Sequence, residues 1–226
     1  MKILGIVLAR GGSKRIPRKN VRLLGARPLI AWSIMAANQS GALYDVMVST
    51  DDPEIASVSR EWGAQVPWLR PPELARDLSP SIDAVIHALD WFEVNHGAMD
   101  GVMLLQPTSP FRSASTIRRA VELFACLDGR PVIGVSPSGM PPEWYFRVSD
   151  EGMTPVLGWE AVALRSQDFP PAYKLNGAMY LASPEFVRQN RTFLTPETYP
   201  LVMSDDKESV DIDTETDWQK AERYIA

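Results

Sequence analysis

Lys2-Ile3-Leu4-Gly5-Ile6-Val7-Leu8-Ala9-Arg10-Gly11-Gly12-Ser13-Lys14-Arg15-Ile16-Pro17-Arg18-Lys19-Asn20 is the stretch that decides the fold. Its first part is short, apolar and rich in β-branched residues, as a strand buried on both faces of a parallel sheet should be. That strand runs into two glycines set among the cations Arg10, Lys14, Arg15, Arg18 and Lys19. Glycine permits positive φ and close backbone approach, so the N–H groups of Gly11, Gly12 and Ser13 can converge on an anion. Arg10, Lys14 and Lys19 then supply the countercharge, and Arg15 and Arg18 can equally be solvated. A solvated turn is the competing reading of a Gly-Gly pair alone. Strand, glycines and cations together are what phosphate-binding loops contain, and the stretch predicts a polyphosphate site.

Outward from this loop, strand-like runs recur at 3–9, 46–50, 64–69, 101–106 and 131–136, separated by helix-like segments near 28–40, 53–62, 81–95 and 115–127. The alternation predicts a Rossmann-like α/β fold, a parallel-rich sheet with helices on both faces. Pro28 and Pro53 suit first-turn helix positions, and Asp52 and Ser113 can accept capping hydrogen bonds. In such sheets ligands gather beyond the carboxyl ends of the strands, where the 10–20 loop, Thr50-Asp51-Asp52 and Gln106-Pro107-Thr108-Ser109 all fall.

The chain has 226 residues, 45% of them hydrophobic. That is enough for one substantial core and predicts a single domain, 1–226. The net charge of −5 excludes an overall electrostatic case for nucleic acid or an anionic membrane, so the loop cations serve a small target. The lone Cys126 sits in an apolar helical run and reads as core packing. No apolar stretch approaches a membrane span and residues 1–9 lack a signal-peptide pattern, so the expectation is a cytoplasmic protein. His87, on an apolar helix face, and His96, near a helix end, read as structural or exposed.

The βα pattern breaks after residue 137, where Pro137, Pro141, Pro142 and Pro155 interrupt a segment bearing Trp144, Tyr145, Phe146 and Trp159. Asp150-Glu151-Gly152 between short apolar runs favours a hairpin over 144–158. Its aromatics mark either a subunit interface or a flap on its own domain. The chain then returns to strand at 178–182 and ends in a helix from about Thr214.

Two further positions invite chemistry on residue type alone. Asp211 and Asp213 are two residues apart, so on a strand their side chains leave one face about 7 Å apart at the α-carbons and can share a hard cation such as magnesium. The alternative for Asp213 is a helix N-cap, a role Thr214 can also fill; neither explains Asp211. Gln106, at a strand end, can donate and accept to sugar hydroxyls.

The opening loop, together with Leu104-Leu105-Gln106-Pro107-Thr108-Ser109-Pro110-Phe111-Arg112, Leu175-Asn176-Gly177-Ala178-Met179-Tyr180 and Val210-Asp211-Ile212-Asp213-Thr214-Glu215-Thr216-Asp217, resembles the cytidylyltransferases that activate sialic and related nonulosonic acids. The segments come in family order over essentially the whole chain. The resemblance implies transfer of CMP from CTP to the anomeric hydroxyl of a sugar acid for cell-surface glycans, with release of pyrophosphate and help from Mg2+. It implies nucleotide contacts from Ala9, Arg10, Gly11, Gly12, Ser13, Lys19 and Asn20, with Arg70 and Ser81 near base and ribose. Sugar contacts would come from Gln106, Thr108 and Ser109, with Arg112 extending the same rim, and from Lys174, Asn176 and Gly177. Arg10, Lys19, Asp211 and Asp213 would carry catalysis, the two aspartates as metal ligands. Arg165 aligns with a carboxylate-binding arginine, and an inserted arm, 138–172, would form a homodimer and bring Arg165 to the partner's sugar.

Two positions depart from the sialic-acid pattern. Trp144 stands where a substrate-binding lysine is common, and Lys174 replaces a usual arginine. A CMP-Kdo-type synthetase, which usually shows a different loop, and a nucleotide-binding module without turnover are the alternatives. A sensor needs neither an aspartate pair nor a second anion site. A basic-loop nucleic-acid binder lacks interleaved stacking aromatics near residues 10–19.

Overall fold

The structure, a computed structural model, describes residues 1–163, 165 and 168–225. Its centre is a six-stranded sheet built from β1 (Ile3–Leu8), β4 (Asp45–Ser49), β5 (Gly101–Leu105), β6 (Val132–Pro137), β9 (Tyr173–Ala182) and β10 (Tyr199–Val202). The strand order is β10-β6-β9-β5-β1-β4. β4, β1 and β5 run parallel, as do β10 and β6, whereas β9 is antiparallel to both of its neighbours.

β1 is apolar throughout because both its faces are covered. Ile3 and Val7 join a core with α1 (Leu29–Ser40), α2 (Pro53–Glu61) and α4 (Ala114–Cys126), while Leu4 and Ile6 join one with α3 (Ser81–His96) and α6 (Pro184–Asn190). The expected parallel-rich α/β sheet is therefore present. Pro53 opens α2, whose N-cap Asp52 accepts from Glu54 and Ile55 N–H; Ser113 caps α4 through Thr116 N–H. Pro28 instead precedes α1 and ends a small hairpin of β2 (Leu23–Leu24) and β3 (Arg27–Pro28).

Several expectations are corrected. The run 64–69 is no strand: only Gln65 bridges to β4, because Pro67 has no N–H to continue the ladder. Cys126 is exposed rather than core. Ile117, Ala120 and Phe124 form the buried stripe of α4, and residue 126 lies across the helix from Phe124. Sequence reasoning also passed over α6 and over β10, an edge strand containing Pro200.

The hairpin appears as β7 (Phe146–Ser149) paired with β8 (Gly152–Pro155) in a separate two-stranded sheet, flanked by a 3-10 turn at Pro142–Trp144 and the short α5 (Trp159–Val162). Val148, Met153, Leu157 and Trp159 are exposed on it. The C-terminal α7 (Glu215–Arg223) packs Trp218 into a third cluster with Ile16, Leu24, Leu29, Phe111 and Ile212. Among the described residues no helix is long and apolar enough to cross a membrane.

Candidate active site

Because β4, β1 and β5 are parallel, their carboxyl ends lie at one edge, and the antiparallel β9 brings its amino end to that same edge. Ala9 closes β1 with a hydrogen bond to Ser49 O at 3.1 Å. The following loop is pinned from beneath by Ile16, fully buried against Ile212 and Trp218. Asn20 is buried and donates from Nδ2 to Arg10 O at 3.1 Å, so it ties the two ends of the loop together.

The expected amide cradle takes another form. Neither Gly11 nor Gly12 has positive φ; that conformation falls on Arg18, at 56°. Gly11 N–H donates to Asp51 Oδ1 at 3.1 Å and Ser13 N–H to Gly11 O at 2.9 Å. Gly11 is required for a different reason: a β-carbon there would stand 2.6 Å from Asp52 Oδ2. The loop therefore offers an anion mainly its side chains. Arg10 Nη1 and Lys14 Nζ both bind Asp77, at 2.7 and 2.5 Å. Those two cations, Lys14 foremost, hold the Asp77 carboxyl below the usual range. Asp77 occupies both of these cations, and nothing in the turn Ala75–Ser79 marks it from sequence alone. Arg15 pairs with Asp213 and Arg18 with Glu54.

Arg10 and Asp77 separate two clefts. The larger, about 510 Å3, is lined by Ser13, Lys14, Lys19, Asn20, Thr108 and Asp213 among others. The smaller, about 330 Å3, has Arg70, Arg76, Ser79 and Ser81 in its wall. Arg70 is buried at the end of β4, donating from Nε to Ser49 Oγ at 3.0 Å and from its guanidinium to Ser49 O. Burial lowers its pKa, Asp51 opposing and Arg10 adding.

Lys19 crosses from the loop to the aspartate segment. Its ammonium donates to Ile212 O at 2.7 Å and to Asp213 Oδ1 at 3.2 Å. Residues 211–213 are not a strand, yet the alternation survives: Ile212 is buried, held by its N–H to Thr108 O at 2.8 Å, and the exposed Asp211 and Asp213 flank it. Thr214 caps α7, with Asp217 completing a capping box. Asp213 is thus left facing the cleft. Asp211 has a raised pKa, chiefly from desolvation and further from Asp213 and Asp217, against a Thr108 hydrogen bond and Lys19. Among the described residues no group of three or more His, Cys, Asp or Glu converges. Two hard oxygen donors beside a cationic loop still fit magnesium, which takes its other ligands from phosphates and water.

A third cleft of about 640 Å3 lies on the other side of Asp211, with Lys174, Asp217 and Lys220 in its wall. Gly177 has φ +72, and a β-carbon on it would lie 2.8 Å from Gln106 Oε1. The carboxamide of Gln106 therefore rests against bare backbone. Other expected sugar residues point inward. Ser109 is buried and donates to Asn176 O at 3.2 Å. Asn176 is buried, its amide bound to Ser136 Oγ and its Oδ1 accepting from Ala178 N–H, within the bulge that interrupts the β6–β9 pairing. Arg112, expected on the rim, is 2% exposed and lies under it.

Arg165 does not line these clefts. It is exposed on the arm and binds Asp168 of its own chain from Nε at 2.8 Å. Trp144, also on the arm, meets Phe169 edge-on at 5.8 Å. His87 packs against Trp68 and His96 stacks on Phe92, away from the clefts.

A cytidylyltransferase family model matches residues 4–128. A CMP-N,N'-diacetyllegionaminic acid synthase of Legionella pneumophila is 43% identical over the whole of this chain and 97% of its own length. An N-acylneuraminate cytidylyltransferase of Streptococcus agalactiae is 34% identical over 96% of this chain, which spans 52% of that protein. A solved CMP:2-keto-3-deoxy-manno-octonic acid synthetase complexed with CTP shares the fold, with a TM-score of 0.73 at 14% identity over 100% of this chain and 98% of that one. With the strand-end clefts and four motifs already in place, these likenesses make the chain a member of the cytidylyltransferase family and, within it, of the CMP-sialic acid synthetases.

Proposed function

We propose that the protein transfers CMP from CTP to the anomeric hydroxyl of a nonulosonic acid, with a diacetyllegionaminic-type acid as the first substrate to test. The observation that carries this reading is the pair of clefts sharing Arg10, one cationic and bounded by Asp213, the other walled by Arg70 and Ser81. The first suits a triphosphate and the second a nucleoside. Identity of 43% to a legionaminic acid synthase supports the acceptor class.

The hydroxyl oxygen attacks the α-phosphorus, the bond to the bridging oxygen breaks, pyrophosphate leaves and the hydroxyl proton passes to solvent. Arg10, Lys14 and Lys19 neutralise the triphosphate and hold the leaving group, so positioning and electrostatics do most of the work. Asp77 must release Arg10 and Lys14 as the nucleotide enters. Magnesium, held by Asp211 and Asp213, would polarise the α-phosphate and lower the pKa of the attacking hydroxyl. Gln106 orients the acceptor, and Lys174 meets its charge.

The exposed apolar residues of the 138–172 arm support a homodimer in which Arg165 reaches the partner's sugar. A cytoplasmic setting, where CTP is at hand, fits the reaction. The test is pyrophosphate release from CTP and magnesium with diacetyllegionaminic, N-acetylneuraminic and pseudaminic acids and Kdo. Turnover with one or more nonulosonic acids is expected. Turnover with Kdo alone, or with no acceptor, refutes the reading.

A further inference from the structure

The pairing of β5 with β9 follows one register, Val102 with Ala182 down to Leu105 with Met179. The next rung would join Gln106 to Ala178. In its place stands the guanidinium of Arg112: Nη2 donates to Gln106 O at 2.5 Å and Nε to Ala178 O at 2.7 Å. The remaining nitrogen, Nη1, donates to Ser33 Oγ of α1 at 2.9 Å. One planar fork thus bridges β5, β9 and α1 where the ladder stops. Ser33 Oγ and Ser109 N–H also converge on Gln106 O, at 3.4 and 3.3 Å, so the backbone of Gln106 has little freedom.

A charged side chain so deep is costly. No carboxylate touches Arg112 among the described residues; burial draws its pKa down to about 9, with Glu208 opposing. An apolar residue of similar volume would escape that cost but would leave Ala178 O without its donor and Gln106 O with one fewer. What it could not supply is three donors in a fixed plane. The fork holds apart two strands whose separation sets the place of the Gln106 carboxamide, which rests on Gly177.

We propose that Arg112 is a positioning residue for the sugar acceptor: by replacing the 106/178 rung with its guanidinium, it fixes Gln106 against Gly177 in the orientation that receives the acid's hydroxyls. The assignment rests on the acceptor role given to Gln106 under the proposed function. It predicts a defect that falls on the sugar and spares the nucleotide.

Arg112→Lys keeps the charge but is one atom shorter and has no planar fork to reach three acceptors, and Ser33→Ala removes one acceptor as a milder variant. With both shown to fold by thermal unfolding, Arg112→Lys should lower kcat/KM for the sugar acid by about tenfold or more while KM for CTP stays within about twofold. Ser33→Ala should shift the same constants in the same direction by less. Amide hydrogen exchange on the unliganded proteins should quicken at 106, 108, 109 and 177–179 in Arg112→Lys, with the β1–β4 rungs unchanged. Equal losses for sugar and CTP, or unchanged kinetics and exchange, overturn the proposal. If the wild-type protein turns over no sugar acid, the function reading fails and exchange alone decides: quickening confined to that rung supports the clamp, and no quickening refutes it.

Discussion

Lys19→Ala removes an ammonium that serves the fold and the reaction at once, and the structure separates the two losses. The side chain is 12% exposed and donates to Ile212 O at 2.7 Å. Losing a hydrogen bond from a charged donor to that carbonyl costs about 1.5–3 kcal/mol of stability. In a domain of this size each kcal/mol lowers Tm by roughly 2–4 °C, so the variant should melt several degrees lower. Its contact with Asp213, 53% exposed, adds little because water and salt screen it. Withdrawing one donor from charge developing on the triphosphate should cost about 2.7–4 kcal/mol, or roughly a hundred- to a thousandfold in kcat. Lys19→Gln divides the effects, since it keeps an uncharged donor, one bond nearer the backbone than the ammonium that meets Ile212 O. Thermal unfolding should recover in part in Lys19→Gln while turnover stays low. Pyrophosphate-release kinetics with CTP varied at saturating magnesium and acceptor measure the second part. A Lys19→Gln enzyme within about threefold of wild-type kcat/KM for CTP would refute the phosphate role.

Asp211→Asn and Asp213→Asn should each raise the magnesium requirement, and chelation should stop turnover; identical metal titrations in both variants would remove the pair from the metal site. Because the Asp211 carboxyl lies above the ordinary aspartate value, its proton competes with metal as pH falls through that raised pKa. The wild-type magnesium demand should therefore climb at a higher pH than an unperturbed aspartate dictates, and the climb should be lost in Asp211→Asn. Gly11→Ala meets Asp52 at 2.6 Å whereas Gly12→Ala meets nothing within 4 Å, so the first should lose about 1–3 kcal/mol in thermal unfolding and the second almost none; equal Tm values would contradict the packing argument. Arg165→Ala and Asp213→Ala subunits, each nearly inactive, should restore about one quarter of wild-type activity when mixed dimers form from equal amounts. Activity that stays at the level of the single variants, with mixed dimers demonstrated by differently tagged chains, would place Arg165 within its own chain or away from the site.

Local pattern was enough for five of the six strands of the sheet. Apolar runs such as Ile3–Leu8 and Gly101–Leu105 alternate with capped helices, and burial on both faces leaves a continuous hydrophobic signal that needs no partner to be read. Spacing likewise foretold that Asp211 and Asp213 would alternate with a buried Ile212, although 211–213 is no strand. Pattern failed where a side chain's fate depends on what lies across the fold. Pro67 shortened a strand by denying one N–H, and the stripe Ile117, Ala120, Phe124 turned Cys126 outward. Gly11 looked like a residue chosen for its own conformation, yet Asp52 on another strand end is what excludes a side chain there. Ser109 and Arg112 read as rim residues, and Asn176 as a sugar contact, because polar groups at a strand end ordinarily meet water. Only the tertiary structure could turn them inward, since their acceptors, Ala178 O, Gln106 O, Asn176 O and Ser136 Oγ, lie on strands brought together by the antiparallel course of β9. Asp77 is the converse case: its partners Arg10 and Lys14 are more than sixty residues away in sequence. Hydrophobic periodicity is a short-range property and survives in the sequence, whereas a hydrogen bond between distant elements exists only once the core has set their separation.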